Sequence, residues 1–140
     1  MLGEKDPEWE KRYRQNLNWF QSHFKKYESE ARAVVIFAHC IAASPVYRNI
    51  KVILRKTGIP VLYIHGNGHI FKILSSRDKF VRLQVDQGGI ASPLQITISD
   101  HPTLPRYEHS ISSKEGNDHV YSFFSGLVKV DRGRARDYEA

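Results

Sequence analysis

Two short apolar runs with an amphipathic helix between them constrain the fold of this chain more than any other feature. The runs span residues 33–38 and 61–65, and neither has a polar face, which is typical of strands covered on both sides. Between them, Pro45 begins a predicted helix that ends before Gly58. A strand, a helix and a strand of these lengths form a right-handed crossover, so we expect the two strands to be parallel. The pattern therefore predicts an α/β unit.

A long helix with an aromatic stripe is predicted before this unit. Asp6 and Pro7 form a helix start, with Asp as the N-cap and Pro at the first helical position. Apolar residues then recur at steps of three and four: Trp9, Tyr13, Leu17, Phe20, Phe24, Tyr27 and Ala31. This spacing predicts an amphipathic helix of about six turns. We expect its stripe to pack against the sheet.

Short strands separated by turns are predicted for the rest of the chain. Four runs of apolar or alternating residues predict strands, at 70–74, 80–85, 94–98 and 120–130. Residues 100–119 are polar and contain prolines, which predicts a long loop. The expected fold class is therefore α/β (α+β), with one domain over residues 1–130 and a basic, disordered tail at 131–140.

The charge balance favours anionic partners without choosing among them. The chain carries 21 Lys and Arg against 15 Asp and Glu, a formal net charge of +6. These basic residues are spread over two predicted helices and the tail, so solvated helix faces explain them better than a dedicated nucleic-acid surface. The single cysteine, Cys40, cannot form an internal disulfide, and no run has the length of a membrane span or the position of a secretory signal. We therefore expect a cytoplasmic chain with no membrane partner.

Histidines follow both strands of the crossover unit. His39 comes directly after the first strand, while His65, Asn67 and His69 end the second strand or lie in the turn after it. Because the carboxyl ends of parallel strands share one edge of a sheet, these side chains should face a common crevice. Imidazole is a common metal ligand, and a Gly-Asn-Gly turn allows tight curvature. The pattern favours a metal site formed by His39 and His69, with hydrogen-bonded structural histidines as the alternative.

The residues around these histidines resemble two metal-binding motifs of the calcineurin-like metallophosphoesterases. Val-Val-Ile-Phe-Ala-His, ending at His39, is similar to the motif in which a single histidine ends a strand. Gly-Asn-Gly-His, ending at His69, is similar to the Gly-His-x-His turn of that family, with Asn67 in place of the first histidine. Order and spacing agree over residues 10–100, including Leu-Gln-Val-Asp-Gln-Gly-Gly at 83–89.

The resemblance implies a fold, a cofactor and a substrate class. It implies the C-terminal half of a four-layer α/β/β/α metallophosphoesterase sandwich, with His39, Asn67 and His69 as ligands of a divalent manganese, zinc or iron ion. The substrate of the intact family is a phosphate ester, which a metal-bound hydroxide attacks. A carboxamide oxygen is a weak ligand for a transition metal, so we expect Asn67 to coordinate poorly or only to orient substrate. His65 lies outside the motif.

The motifs that complete a two-metal site in this family do not occur in the sequence. Asp-x-His, Gly-Asp-x-x-Asp, and Gly-Asn-His followed by Asp or Glu supply the bridging carboxylate, further ligands and a catalytic histidine. None of them is present in the 140 residues, and Gly-Asn-Asp-His at 116–119 is only a scrambled form of the third. No residue is therefore predicted to be catalytic.

These absences predict a truncated or degenerate phosphoesterase that is inactive alone. A non-catalytic anion-binding or protein-interaction module is the alternative. If half of the sandwich is missing, the apolar strand faces of 34–38 and 61–64 are incompletely covered, and the chain is expected to associate with itself through that sheet.

Overall fold

The chain folds into two helices and two β-sheets within the residues that the structure describes. The computed structural model describes residues 7–39, 45–77, 79–88, 91–99, 120–124 and 126–133. The elements in chain order are α1 (Pro7–Tyr27), β1 (Val34–Ala38), α2 (Pro45–Thr57), β2 (Val61–His65), β3 (Lys72–Arg77), β4 (Phe80–Gln84), β5 (Gln95–Ile98), β6 (Val120–Phe123) and β7 (Val128–Asp131). This content confirms the mixed α+β class, while the four-layer arrangement stays a prediction.

The chain divides into two compact units. The first comprises Met1–Asn67 and Ile73–Leu83, and the second comprises Gly68–Lys72 and Gln84–Ala140. Both helices belong to the first unit, and the three-stranded sheet, of order β5-β7-β6, belongs to the second. The loop predicted at 100–119, Cys40 and residues 134–140 of the predicted tail lie outside the described residues.

The predicted strand-helix-strand unit is confirmed. β1 and β2 are parallel neighbours in a four-stranded sheet of order β1-β2-β4-β3. Their register places Val34 opposite Val61 and Ala38 opposite His65. The carboxyl ends of β1 and β2 therefore lie at the same edge of the sheet, and His39 follows β1 directly at that edge.

The core of the first unit lies between this sheet and the helices. Its buried members are Tyr47, Ile50, Leu54, Val61, Tyr63 and Phe80. The predicted stripe of α1 is covered only in part, since Leu17, Phe20 and Phe24 pack on the core whereas Trp9 and Tyr27 are more than half exposed. In the described part of the chain, no helix combines the length and the apolar character that crossing a membrane requires.

The two strands of the crossover unit differ in burial. All five residues of β2 are buried, as predicted for a strand covered on both sides. The incomplete cover expected for 61–64 in half of a sandwich is therefore wrong for this strand. β1 was expected to be covered in the same way, and this prediction is wrong: none of its residues is fully buried, and Phe37 is 73% exposed. The reason is position, because β1 is an edge strand with a neighbour on one side only.

Several strand boundaries differ from those predicted. β3 begins at Lys72, two residues later than predicted, because the preceding residues belong to a turn. The single strand predicted at 120–130 is two antiparallel strands, β6 and β7. Phe124 and Gly126, with φ of 55° and 86°, have a left-handed backbone where the chain reverses from β6 to β7. β5 also pairs with β7 in antiparallel orientation.

Candidate functional site

The turn after β2 has a left-handed backbone at two positions. These are Asn67, with φ of 66°, and His69, with φ of 59°. A positive φ is uncommon outside glycine, but Asn and His adopt it more readily than most residues. Both side chains are exposed. Asn67 and His69, rather than Gly66 and Gly68, provide the left-handed positions of this turn.

His39 lies beside this turn within the first unit. The amide of Gly66 donates to the Ala38 carbonyl at 3.3 Å, which continues the parallel pairing by one residue. A Cβ atom added at Gly66 would lie 3.9 Å from His39 Nδ1, so the imidazole lies over the glycine at ordinary contact distance. The His39 side chain is exposed and accessible to a ligand from solution.

His65 differs from the other candidates because it is buried. It is 1% exposed, and its Nδ1 lies 3.0 Å from the Gly66 carbonyl, which accepts only if Nδ1 carries the proton. Nε2 is then an acceptor, and it has no hydrogen-bond partner among the described residues. The ring lies 6.0 Å from that of Tyr63, which belongs to the core. This environment favours the structural alternative for His65.

Gln84 supports the chain on both sides of His69 within the second unit. Its Nε2 donates to the Ile70 carbonyl at 2.7 Å. Its carboxamide also lies directly against Gly68, where an added Cβ would overlap it. Gly68 is therefore required for close approach rather than for an unusual φ. Gln84 lies in the strand predicted at 80–85, but strand alternation alone did not mark it.

Asp86 holds Phe71, the residue that follows Ile70. Its Oδ1 accepts a hydrogen bond from the Phe71 amide at 3.0 Å, and its Oδ2 lies 3.3 Å from Arg132 Nε. The Arg132 guanidinium lies over the Phe71 ring, 4.5 Å from its centroid, and that ring stacks on Tyr121 at 5.2 Å. Arg132 follows β7 inside the range predicted to be a tail, and sequence reasoning missed its role.

The predicted metal ligands are two imidazoles and a carboxamide, with no carboxylate among them. His39 and Asn67 belong to the first unit and His69 belongs to the second, and all three residues are exposed. No group of three or more His, Cys, Asp or Glu side chains suited to a metal ion occurs within the described ranges. As ligand types, imidazole and carboxamide suit one weakly held divalent ion rather than a two-metal centre, since two adjacent cations need anionic ligands to offset their repulsion. Binding of one ion by this set stays a prediction.

Comparison of the chain with profiles of known protein families, with curated protein sequences and with solved structures gave no match.

Proposed function

We propose that this chain supplies the histidine side of a metal-dependent phosphoesterase site and does not hydrolyse phosphate esters alone. The observation that carries the proposal is the shared sheet edge. The parallel register of β1 and β2 places His39 and the turn that leads to His69 after neighbouring strand ends. This edge is where open α/β sheets bind ligands. Both histidines also match the motifs that resemble the metallophosphoesterases.

His39 and His69 would hold one zinc-, manganese- or iron-like ion, and Asn67 would add a weak oxygen ligand or orient the phosphate ester. When bound, such an ion would supply Lewis-acid stabilisation of the charge on a phosphoryl group. The chain's own residues provide binding and orientation only. They offer neither the bridging carboxylate for a second ion nor an acid for the leaving group, because the motifs that carry both are absent from the sequence.

Metal titration of single variants tests the proposal. Zinc or manganese binding to the full chain, followed by calorimetry, is expected to be weak and to be lost in His39→Ala and in His69→Ala. His23→Ala is the matched control, because His23 is an exposed histidine on α1 that already contacts the Trp19 carbonyl at 2.8 Å. Binding that survives both edge substitutions would refute the assignment of ligands.

Hydrolysis assays test the second half of the proposal. The chain with manganese, zinc or iron should cleave an aryl phosphate or a phosphodiester no faster than the metal-only blank, since each missing catalytic group is worth a factor of about a hundred or more. Adding a polypeptide that carries the three carboxylate motifs should restore activity that depends on His69. Turnover by the chain alone, abolished by His69→Ala, would contradict the proposal.

The second candidate is a non-catalytic interaction module, favoured by the outer surface of α1. Trp9 and Trp19 are 56% and 63% exposed, and the Arg12 guanidinium lies 5.8 Å from the Trp9 ring centroid. Exposed aromatic and cationic side chains of this kind are typical of surfaces that bind anions or other proteins. This candidate gains if Trp9→Ala and Trp19→Ala abolish binding of an anionic partner while the edge histidines bind no metal.

We also infer a cytoplasmic location and self-association through the exposed side of β1. The location rests on the single cysteine, which fits a reducing compartment. The self-association rests on Phe37, an apolar side chain exposed on an edge strand.

A further inference from the structure

The backbone of residues 68–71 is held from one side by Gln84. This side chain is 8% exposed, lies at the end of β4, and donates through Nε2 to the Ile70 carbonyl at 2.7 Å. The same carboxamide fills the space above Gly68 where any other residue would place its Cβ. Gln84 therefore contacts the residue before His69 and the residue after it. The candidate ligand lies between these two contacts.

A second hydrogen bond holds the segment one residue further on. Asp86 accepts from the Phe71 amide at 3.0 Å, and its carboxylate is only 17% exposed. Arg132 fixes the carboxylate from the other side, with Nε at 3.3 Å from Oδ2, and its guanidinium covers the Phe71 ring. Asp86 cannot turn away from the Phe71 amide without losing the bond that it shares with Arg132.

These contacts explain how His69 keeps its left-handed backbone. A non-glycine residue in this region costs about 1–3 kcal/mol and persists only where the surrounding structure imposes it. The turn supplies no such support through the His69 side chain, which is exposed. The bonds to Ile70 and Phe71, together with the close contact at Gly68, are the local interactions that fix the chain direction on both sides.

We propose that Gln84 and Asp86 are positioning residues, which set the direction of the His69 imidazole by fixing the backbone of residues 68–71. The proposal rests on the proposed function for the identity of the ion at His69, but not for the backbone that the two residues hold. Groups that hydrogen-bond a metal ligand directly weaken metal affinity by about 10- to 100-fold when they are lost, and we expect the lower end here because Gln84 and Asp86 act through the backbone. Neither residue contacts the metal.

Cobalt(II) titration of the full chain tests the proposal, with the visible absorption of the bound ion reporting the ligand geometry. Gln84→Met keeps the length of the side chain and removes its donor, so we expect affinity about tenfold lower or weaker still and an altered spectrum. Asp86→Ala should have a similar effect. Asp86→Asn should lower the affinity less than Asp86→Ala, because the amide oxygen still accepts from the Phe71 amide although the amide nitrogen cannot accept from Arg132.

Gln95→Met is the matched control, since Gln95 is an exposed glutamine of the same unit on β5. Thermal melts of every variant separate positioning from packing: a lower melting temperature with unchanged cobalt affinity and spectrum overturns the proposal. Unchanged binding in Gln84→Met and Asp86→Ala, while His69→Ala abolishes binding, overturns it as well and leaves the proposed function intact.

Amide hydrogen exchange keeps the proposal falsifiable if the wild-type chain binds no cobalt. That outcome, or binding unaffected by His69→Ala, refutes the proposed function. Faster exchange of the Phe71 amide in Asp86→Ala, and a shifted His69 amide resonance in Gln84→Met, would still support the positioning role. If neither signal changes, Gln84 and Asp86 do not fix this backbone and the proposal is wrong.

Discussion

Replacement of Gly68 by alanine tests the packing beneath the candidate turn. The backbone at Gly68 is not left-handed, so alanine meets no conformational penalty there. The whole effect comes from overlap of the new methyl group with the carboxamide of Gln84. That carboxamide is buried and bonded to the Ile70 carbonyl, so it cannot move aside without breaking the bond.

The expected cost follows from these two contributions. Overpacking a well-filled site costs about 1–3 kcal/mol, and a lost hydrogen bond costs about 1 kcal/mol. We expect Gly68→Ala to lower the free energy of unfolding by about 2 kcal/mol, the sum of the smaller packing cost and the lost bond. In a Gln84→Ala background the methyl group has no collision partner, and the same substitution should cost less than about 0.5 kcal/mol.

A double-mutant cycle measured by urea unfolding and circular dichroism gives the coupling directly. The expected coupling between Gly68 and Gln84 is about 2 kcal/mol. Gly88→Ala is the control, because an added Cβ at Gly88 would meet no atom within 4 Å. Additive costs of Gly68→Ala and Gln84→Ala, within about 0.5 kcal/mol, would refute the close contact on which the positioning argument depends.

Three further substitutions test other parts of the structure. Phe37→Lys should shift sedimentation toward the monomer, because it places charge on the exposed edge strand β1. Val52→Lys, on the exposed side of α2, is the control. A sedimentation distribution that Phe37→Lys leaves unchanged would exclude association through this edge. Asn67→Val should destabilise the chain by about 1–2 kcal/mol while Asn67→Gly does not, since only the valine resists a φ of 66°. Burial raises the pKa of the Tyr47 hydroxyl above its ordinary 10.0. The contribution of Tyr47 to the free energy of unfolding is therefore complete below about pH 10 and is lost as the pH rises through the folded-state pKa. The alkaline loss should be smaller in Tyr47→Phe, and identical alkaline unfolding profiles of the two proteins would contradict the prediction.

The sequence was sufficient to predict the crossover unit, because its signals are local. The apolar runs, the helix start at Pro45 and the stop at Gly58 each depend on neighbouring residues, and α2 spans Pro45–Thr57 as expected. A crossover through α2 makes β1 and β2 parallel and places His39 at the edge from which the β2 turn leaves. Candidate ligands could therefore be named without coordinates.

Tertiary structure decided the burial of each strand and the supports of the turn. β1 and β2 have similar apolar sequences, yet only β2 is buried, since burial depends on the order of strands in the sheet rather than on composition. Gln84 and Asp86 contact residues 14 and 15 positions earlier, and no periodicity in the sequence encodes a side chain that bonds to a distant backbone group. The chain pattern thus predicts which residues end a strand, whereas long-range packing determines which side chains hold them in place.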